Sequence, residues 1–131
     1  AGCDPARMGL GPVYSSAKAL KAAGCTLADM DVVEINEAFA VQVLACRKAF
    51  ASAAFASKEL GAAAALGEIQ DERLNPNGGA IALGHPVGAT GTRLLLTAAT
   101  ELQVKDKNMA LATLCIGGGQ GGAFVLERIA A

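Results

Sequence analysis

Three stretches of the chain space their apolar residues three or four positions apart, which is the pattern of a helix with one buried face. The first follows Ser15 or Ser16, either of which could cap the helix, and it ends at Gly24. The second runs from Asn36, a natural N-cap at a strand-to-helix junction, to Phe50. The third is expected over residues 89–104, and helical composition also covers residues 51–66 with an interruption at Gly61.

Short apolar runs with β-branched residues predict buried strands over residues 32–35, 109–116 and 122–129. The glycine-rich residues 117–121 predict a tight turn, which makes the last two strands antiparallel. Strands that alternate with helices are typical of an α/β domain with a mixed β-sheet and helices on both faces. Residues 80–83 read as a short apolar segment inside a loop.

The composition of the chain excludes several classes of protein. Hydrophobic residues make up 53% of the 131 positions and charged residues 18%, which excludes a disordered chain. Eleven Lys and Arg residues against twelve Asp and Glu residues give a net charge of -1, so no basic surface for nucleic acid is expected. No apolar run is long enough to predict a membrane span.

The four cysteines are widely spaced, and none forms a C-x-x-C pair. With a single histidine, no metal site is expected. The absence of a disulfide framework and of a signal peptide favours a reduced chain in an intracellular, cytoplasmic location.

Three motifs stand at strand ends or helix starts, where α/β sheets bind ligands. They are NEAF at residues 36–39, GHP at residues 84–86 and CIGGG at residues 115–119. His85 can exchange a proton near neutral pH, and Cys115 can act as a thiolate. The structural alternatives are a histidine that stabilises a tight loop and a buried cysteine, with Asn36 as a helix cap and Phe39 as a core residue.

Two nucleotide-binding motifs can be rejected. The glycines at 117, 119 and 122 fit G-x-G-x-x-G, but a strand pattern follows them, so no helix is available to bind a pyrophosphate. Residues 84–92 lack the Gly-Lys-Ser/Thr sequence of a P-loop.

Together, the three motifs resemble those of the thiolases. They occur in that family's order, as NEAF at 36–39, NGGAIALGHPVGATG at 77–91 and CIGGGQG at 115–121. The resemblance covers nearly the whole chain, which looks like the C-terminal half of a thiolase, a CoA-dependent acyltransferase. Related ketosynthases share the fold but lack a cysteine at the position that matches Cys115.

The resemblance implies a two-step acyl exchange in which coenzyme A is a substrate, so no cofactor is expected. His85 would activate a nucleophilic cysteine that accepts the acyl group, and Cys115 would then remove an α-proton from acetyl-CoA. His85 and a water held by Asn36 would form one oxyanion hole, and the backbone N–H of Gly117 would contribute to a second. Phe39 would line the acyl or pantetheine channel. The reverse reaction cleaves a 3-ketoacyl-CoA.

The same resemblance implies partners outside this chain. A thiolase N-terminal domain would supply the nucleophilic cysteine, acyl-CoA and CoA would be the substrates, and the complete enzyme would be a dimer or tetramer. Residues 1–131 would form one partial C-terminal domain whose first strand precedes Gly2, and this part alone would be inactive. Residues 46–74 are longer than the matching link in compact members of the family.

Two other functions remain open from the sequence. Cys115, His85 and Asn36 supply the side chains of a Cys-His-Asn hydrolase. Alternatively, the chain is a truncated, non-catalytic module that binds CoA or serves as a scaffold.

Overall fold

The computed structural model describes residues 1–129 and has one three-stranded sheet at its centre. The strands are β1 (Val32–Ile35), β2 (Met109–Gly117) and β3 (Gln120–Glu127), in the order β1-β2-β3. Strand β1 runs parallel to β2, and β3 runs antiparallel to β2. The sheet is therefore mixed, and the predicted α/β fold is confirmed.

Three longer helices pack on this sheet, and shorter helical turns connect them. The longer helices are α1 (Gly11–Ala23), α2 (Ala40–Phe50) and α5 (Val87–Val104). The short helices are α3 (Ala53–Phe55), α4 (Ala80–Leu83), a π-helical turn (Ala56–Leu60) and three 3₁₀ turns (Pro5–Leu10, Leu27–Asp29, Asp71–Arg73).

The two faces of the sheet bury separate apolar clusters. Because neighbouring residues of a strand point to opposite faces, Val33 packs with α1 and α2, while Val32 packs with α5. The first cluster includes Val13, Leu20, Ile35, Phe50 and Leu111, and the second includes Ala98, Leu102 and Ala110. Helices thus cover both faces, as the sequence predicted.

The first helix begins earlier than the sequence indicated. Helix α1 starts at Gly11, and neither Ser15 nor Ser16 caps it. Pro12 in the first turn already has the backbone conformation of a helix and needs no N–H partner. The Ser15 hydroxyl instead donates back to the Gly11 carbonyl, 3.0 Å away, from inside the helix.

The prediction that Asn36 is a helix N-cap is also wrong. Helix α2 begins only at Ala40, after Phe39 in an extended conformation. Asn36 therefore belongs to the loop that leaves β1, and its side chain is available for other contacts.

Two further boundaries differ from prediction. Residues 80–83, expected to be loop, form the four-residue helix α4. Strand β3 begins at Gln120 and not at 122, because the turn needs only Gly118 and Gly119, whose φ angles are +60° and +81°. Two consecutive positive φ angles suit the tight turns that match the twist of a hairpin. The predicted interruption at Gly61, with φ +63°, is confirmed.

Candidate active site

Asn36 comes directly after the buried strand β1 and is itself buried, with 1% of its surface exposed. Its backbone N–H donates to the Thr113 carbonyl of β2 at 3.0 Å, which continues the pairing of the strands by one residue. The side-chain Nδ2 atom lies 3.4 Å from Nε2 of His85. The Oδ1 atom is buried and has no hydrogen-bond partner among residues 1–129.

His85 lies between the short helix α4 and the start of α5. Its Nδ1 atom is 2.7 Å from the Thr90 hydroxyl, which in turn donates to the Pro86 carbonyl at 3.1 Å. Because the hydroxyl has a single hydrogen, it accepts a hydrogen from Nδ1 of His85. The network therefore assigns the ring hydrogen to Nδ1 and leaves the Nε2 lone pair to accept from Asn36.

Thr90 is a site residue that sequence reasoning missed. It is completely buried in the first turns of α5, five positions after His85. A hydroxyl so close after the only histidine, at the start of a predicted helix, was the available signal.

Cys115 is located near the end of β2, opposite Gly121 of β3. The pairing of the strands shifts between Cys115 and Gly117, which marks an irregularity in the ladder. Gly117 has a φ of +110°, a conformation that glycine adopts without strain. Cys115 and Gly117 face the same cleft as His85.

The cleft has a volume of about 740 Å³ and a largely apolar lining. Phe39, predicted either as core or as channel lining, is 68% exposed and lines this cleft, so the core alternative is wrong. The 3₁₀ turn Pro5–Leu10 forms another wall of the cleft, which includes Met8. The four residues proposed from the sequence to act here, together with Phe39, thus meet at one edge of the sheet.

Cys46 is a second thiol close to this edge, and it is completely buried. It lies on α2 and donates to the Gly9 carbonyl at 3.2 Å. Burial, with a smaller effect from Cys115, raises the pKa of the Cys46 thiol to about 12. Cys46 is therefore a core residue.

Glu34 on β1 and Arg93 on α5 are two ionisable residues whose polar side-chain atoms are buried. Glu34 is fully buried on the face of β1 that packs against α5, and burial raises the pKa of its carboxyl to about 7 despite the nearby Arg93. Neither its carboxylate oxygens nor the guanidinium nitrogens of Arg93 have a hydrogen-bond partner among the described residues.

Over residues 1–129 no helix is both long and apolar enough to cross a membrane, and no three His, Cys, Asp or Glu side chains are grouped to hold a metal ion.

Comparison with known proteins decides the family. The family described as "Thiolase, C-terminal domain" matches residues 1–128. The chain belongs to the thiolase family. It is 52% identical over 128 residues to a 3-ketoacyl-CoA thiolase of Vibrio cholerae, a match that covers 98% of this chain and 30% of the relative. It is 51% identical to an acetyl-CoA acetyltransferase of Escherichia coli, with coverage of 98% and 28%.

Solved thiolase structures show the same fold. The crystal structure of human mitochondrial 3-ketoacyl-CoA thiolase superimposes with a TM-score of 0.82 at 42% identity and covers 99% of this chain and 29% of that one. A structure of the human enzyme in complex with CoA matches equally well. The chain thus spans less than a third of the length of these thiolases.

Proposed function

We propose that this chain is the C-terminal part of a CoA-dependent acyltransferase that interconverts a 3-ketoacyl-CoA plus CoA with an acyl-CoA plus acetyl-CoA. The observation that carries the proposal is the meeting of His85 and Cys115 in one apolar cleft, with Asn36 hydrogen-bonded to the ring. The reaction needs a base near neutral pH and donors for thioester oxyanions, and these residue types supply both.

In the first step, a cysteine from the N-terminal domain attacks the thioester carbon of an acyl-CoA. His85 accepts the thiol proton at Nε2, the atom that the hydrogen bond from Nδ1 to Thr90 leaves unprotonated. The carbon–sulfur bond to CoA breaks, and CoA leaves as a thiolate that takes a proton from solvent, while His85 keeps the proton that it accepted. The protonated Nε2 of His85 can then donate to an oxyanion, together with a water that Asn36 Oδ1 holds.

In the second step, Cys115 removes an α-proton from acetyl-CoA. Protonated His85 and the water held by Asn36 form the oxyanion hole that stabilises the resulting enolate, and the backbone N–H of Gly117 contributes to a second hole. The carbanion attacks the acyl-enzyme, a carbon–carbon bond forms, and the N-terminal cysteine leaves. Phe39 lines the channel for the acyl or pantetheine group, and CoA acts as a substrate throughout.

The N-terminal domain is the partner that this mechanism requires. Exposed apolar residues on α5, Leu96 at 66% and Val104 at 70%, offer a surface for the rest of the enzyme. The chain's share of about 30% of its relatives' length is consistent with a missing partner of this kind. In the complete enzyme we expect a dimer or tetramer.

The geometry disfavours a Cys-His-Asn hydrolase. In such a triad the asparagine holds the ring nitrogen that faces away from the cysteine. Here Asn36 contacts Nε2, the nitrogen that accepts the proton, and Thr90 contacts Nδ1, so Asn36 is not in the orienting position of such a triad.

A hybrid enzyme tests the proposed function. The segment of the E. coli acetyl-CoA acetyltransferase that matches this chain is replaced by residues 1–131, and CoA-dependent cleavage of a 3-ketoacyl-CoA is measured. We expect turnover by the hybrid and none by the 131-residue chain alone, because the nucleophile is not encoded here. A folded hybrid that binds CoA without turnover would instead support the non-catalytic binding module.

A further inference from the structure

Glu37 follows Asn36 in the loop after β1, and its carboxylate connects two separate parts of the chain. Oε1 accepts a hydrogen bond of 2.7 Å from Nδ2 of Asn75, and Oε2 accepts one of 3.0 Å from the backbone N–H of Ile81. Because α2 begins only at Ala40, the carboxylate does not stabilise the first turn of that helix. It faces the segment that leads to His85.

Asn75 anchors one side of this contact to the sheet. Its Oδ1 accepts from the Ile35 N–H at 2.9 Å, and its Nδ2 donates to the Ile35 carbonyl at 3.0 Å. Its own backbone N–H donates to the Val33 carbonyl at 2.9 Å. Asn75 therefore behaves as an extension of β1, and Glu37 is held at a fixed point relative to that strand.

The backbone at Gly79 packs closely on the Glu37 carboxylate. A Cβ atom at this position would overlap the Glu37 carboxyl group. The φ of Gly79 is -104°, so the backbone conformation itself does not require glycine. Glycine is required at position 79 because a side chain there would occupy the space of the Glu37 carboxylate.

Helix α4 connects the residues that contact Glu37 to His85. The Gly79 carbonyl accepts from the Leu83 N–H at 2.9 Å, and the Gly84 N–H donates to the Ala80 carbonyl at 2.8 Å. These bonds make residues 79–84 a short rigid unit that ends next to His85. Glu37 holds the start of this unit, and Asn36 meets the ring at its end.

We infer that Glu37 is a positioning residue that holds the His85 segment against the end of β1 and so sets the Asn36–His85 contact. Its relevance to catalysis rests on the proposed function, but the geometric role does not. An ionised carboxylate suits the position because both atoms that face it are N–H donors. A glutamine of the same shape would satisfy one donor and turn its own NH₂ group toward the other.

The test measures the Asn36–His85 contact directly by NMR on the 131-residue chain. His85 is the only histidine, so its ring signals are unambiguous. The readout is the nuclear Overhauser effect between the Asn36 side-chain amide protons and the His85 ring. The variants are Glu37→Gln, which keeps the size, and Glu37→Asp, which keeps the charge but is one methylene shorter.

Asp31→Asn is the matched control. The Asp31 carboxylate also accepts from two backbone N–H groups, those of Asn108 and Met109, but it stands at the opposite end of β1. All three variants should lose thermal stability, whereas only the two Glu37 variants should weaken the Overhauser effect. A Glu37→Gln chain with the parental effect would overturn the inference, and so would equal weakening in Asp31→Asn.

Kinetics of the hybrid enzyme separate this inference from the proposed function. Glu37→Gln should lower kcat by about 10–100-fold with a smaller change in KM, since misplacement of a catalytic group by about 1 Å has effects of this size. A parental kcat would contradict the catalytic relevance of the contact. If the unsubstituted hybrid has no turnover, the proposed function fails, while the Overhauser result still decides the positioning role.

Discussion

The Nδ2 atom of Asn36 lies 3.4 Å from the Nε2 atom of His85, although 49 positions separate the two residues. The contact exists because β1 ends at Ile35 and the segment after α4 returns to the same edge of the sheet. The donor amide of Asn36 requires an unprotonated Nε2, which is the state of a general base.

Thr90 should matter for turnover through its hydrogen bond to His85. Thr90→Val removes the acceptor for Nδ1–H but nearly preserves the shape, so the ring loses its fixed tautomer. In the hybrid enzyme we expect kcat to fall by about 10–100-fold. Thr90→Ser, which keeps the hydroxyl, should retain most of the activity. Equal activity in the valine and serine variants would show that the hydroxyl has no role.

Glu34 should make the stability of the chain depend on pH. Its pKa is raised to about 7 in the folded state, whereas an unfolded glutamate titrates near about 4.3. The folded chain therefore holds one more proton between these values, and its free energy of unfolding falls as pH rises through that window. The total loss should be about 4 kcal/mol, complete above pH ~8.

Denaturant titrations of the parent chain and of Glu34→Gln from about pH 4 to pH 8 check this dependence. The difference between the two chains isolates Glu34, because the glutamine is neutral throughout. The lowered pKa of Asp31, caused by the N–H groups of Asn108 and Met109, acts in the opposite direction and only at lower pH. A constant difference across the range would contradict the prediction.

Gly121 should not tolerate a side chain. A Cβ atom there would overlap the carbonyl oxygen of Gly11 at the start of α1. Gly121→Ala should therefore lower the free energy of unfolding by about 1–3 kcal/mol or more. Gly88→Ala is the control, since nothing lies within 4 Å of a Cβ inside α5, and it should raise stability by up to about 1 kcal/mol. The same response in both variants would show that the α1–β3 contact is not this close.

The sheet and the longer helices were predictable because their signals are local. Apolar runs with β-branched residues marked β1 and β2, and helical spacing marked α5. The predicted starts of the helices were wrong where contacts between residues distant in sequence determine where a helix begins. Asn36 has the residue type of an N-cap, but its amide contacts His85 and the helix begins four residues later.

The site was predictable in part. The motifs located His85 and Cys115, because a rare histidine and a thiol next to a glycine turn are visible in the sequence. Helix α4 and the role of Glu37 were not visible, because the donors that face the carboxylate come from Asn75 and Ile81, about 40 positions away. Helix α4 consists of only four apolar residues between two glycines, which is too short to show a helical periodicity in the sequence.

Trapping of the acyl-enzyme in the hybrid tests the central claim that His85 and Cys115 have separate roles in one active site. The hybrid and its Cys115→Ala and His85→Ala variants are mixed with an acyl-CoA labelled in the acyl group, and label on the protein is followed with time. Cys115→Ala should acylate rapidly and keep the label, because only the second step needs that thiol. His85→Ala should acylate about 10²–10⁴-fold more slowly. Rapid and equal labelling of both variants, with melting curves that show both folded, would contradict the account.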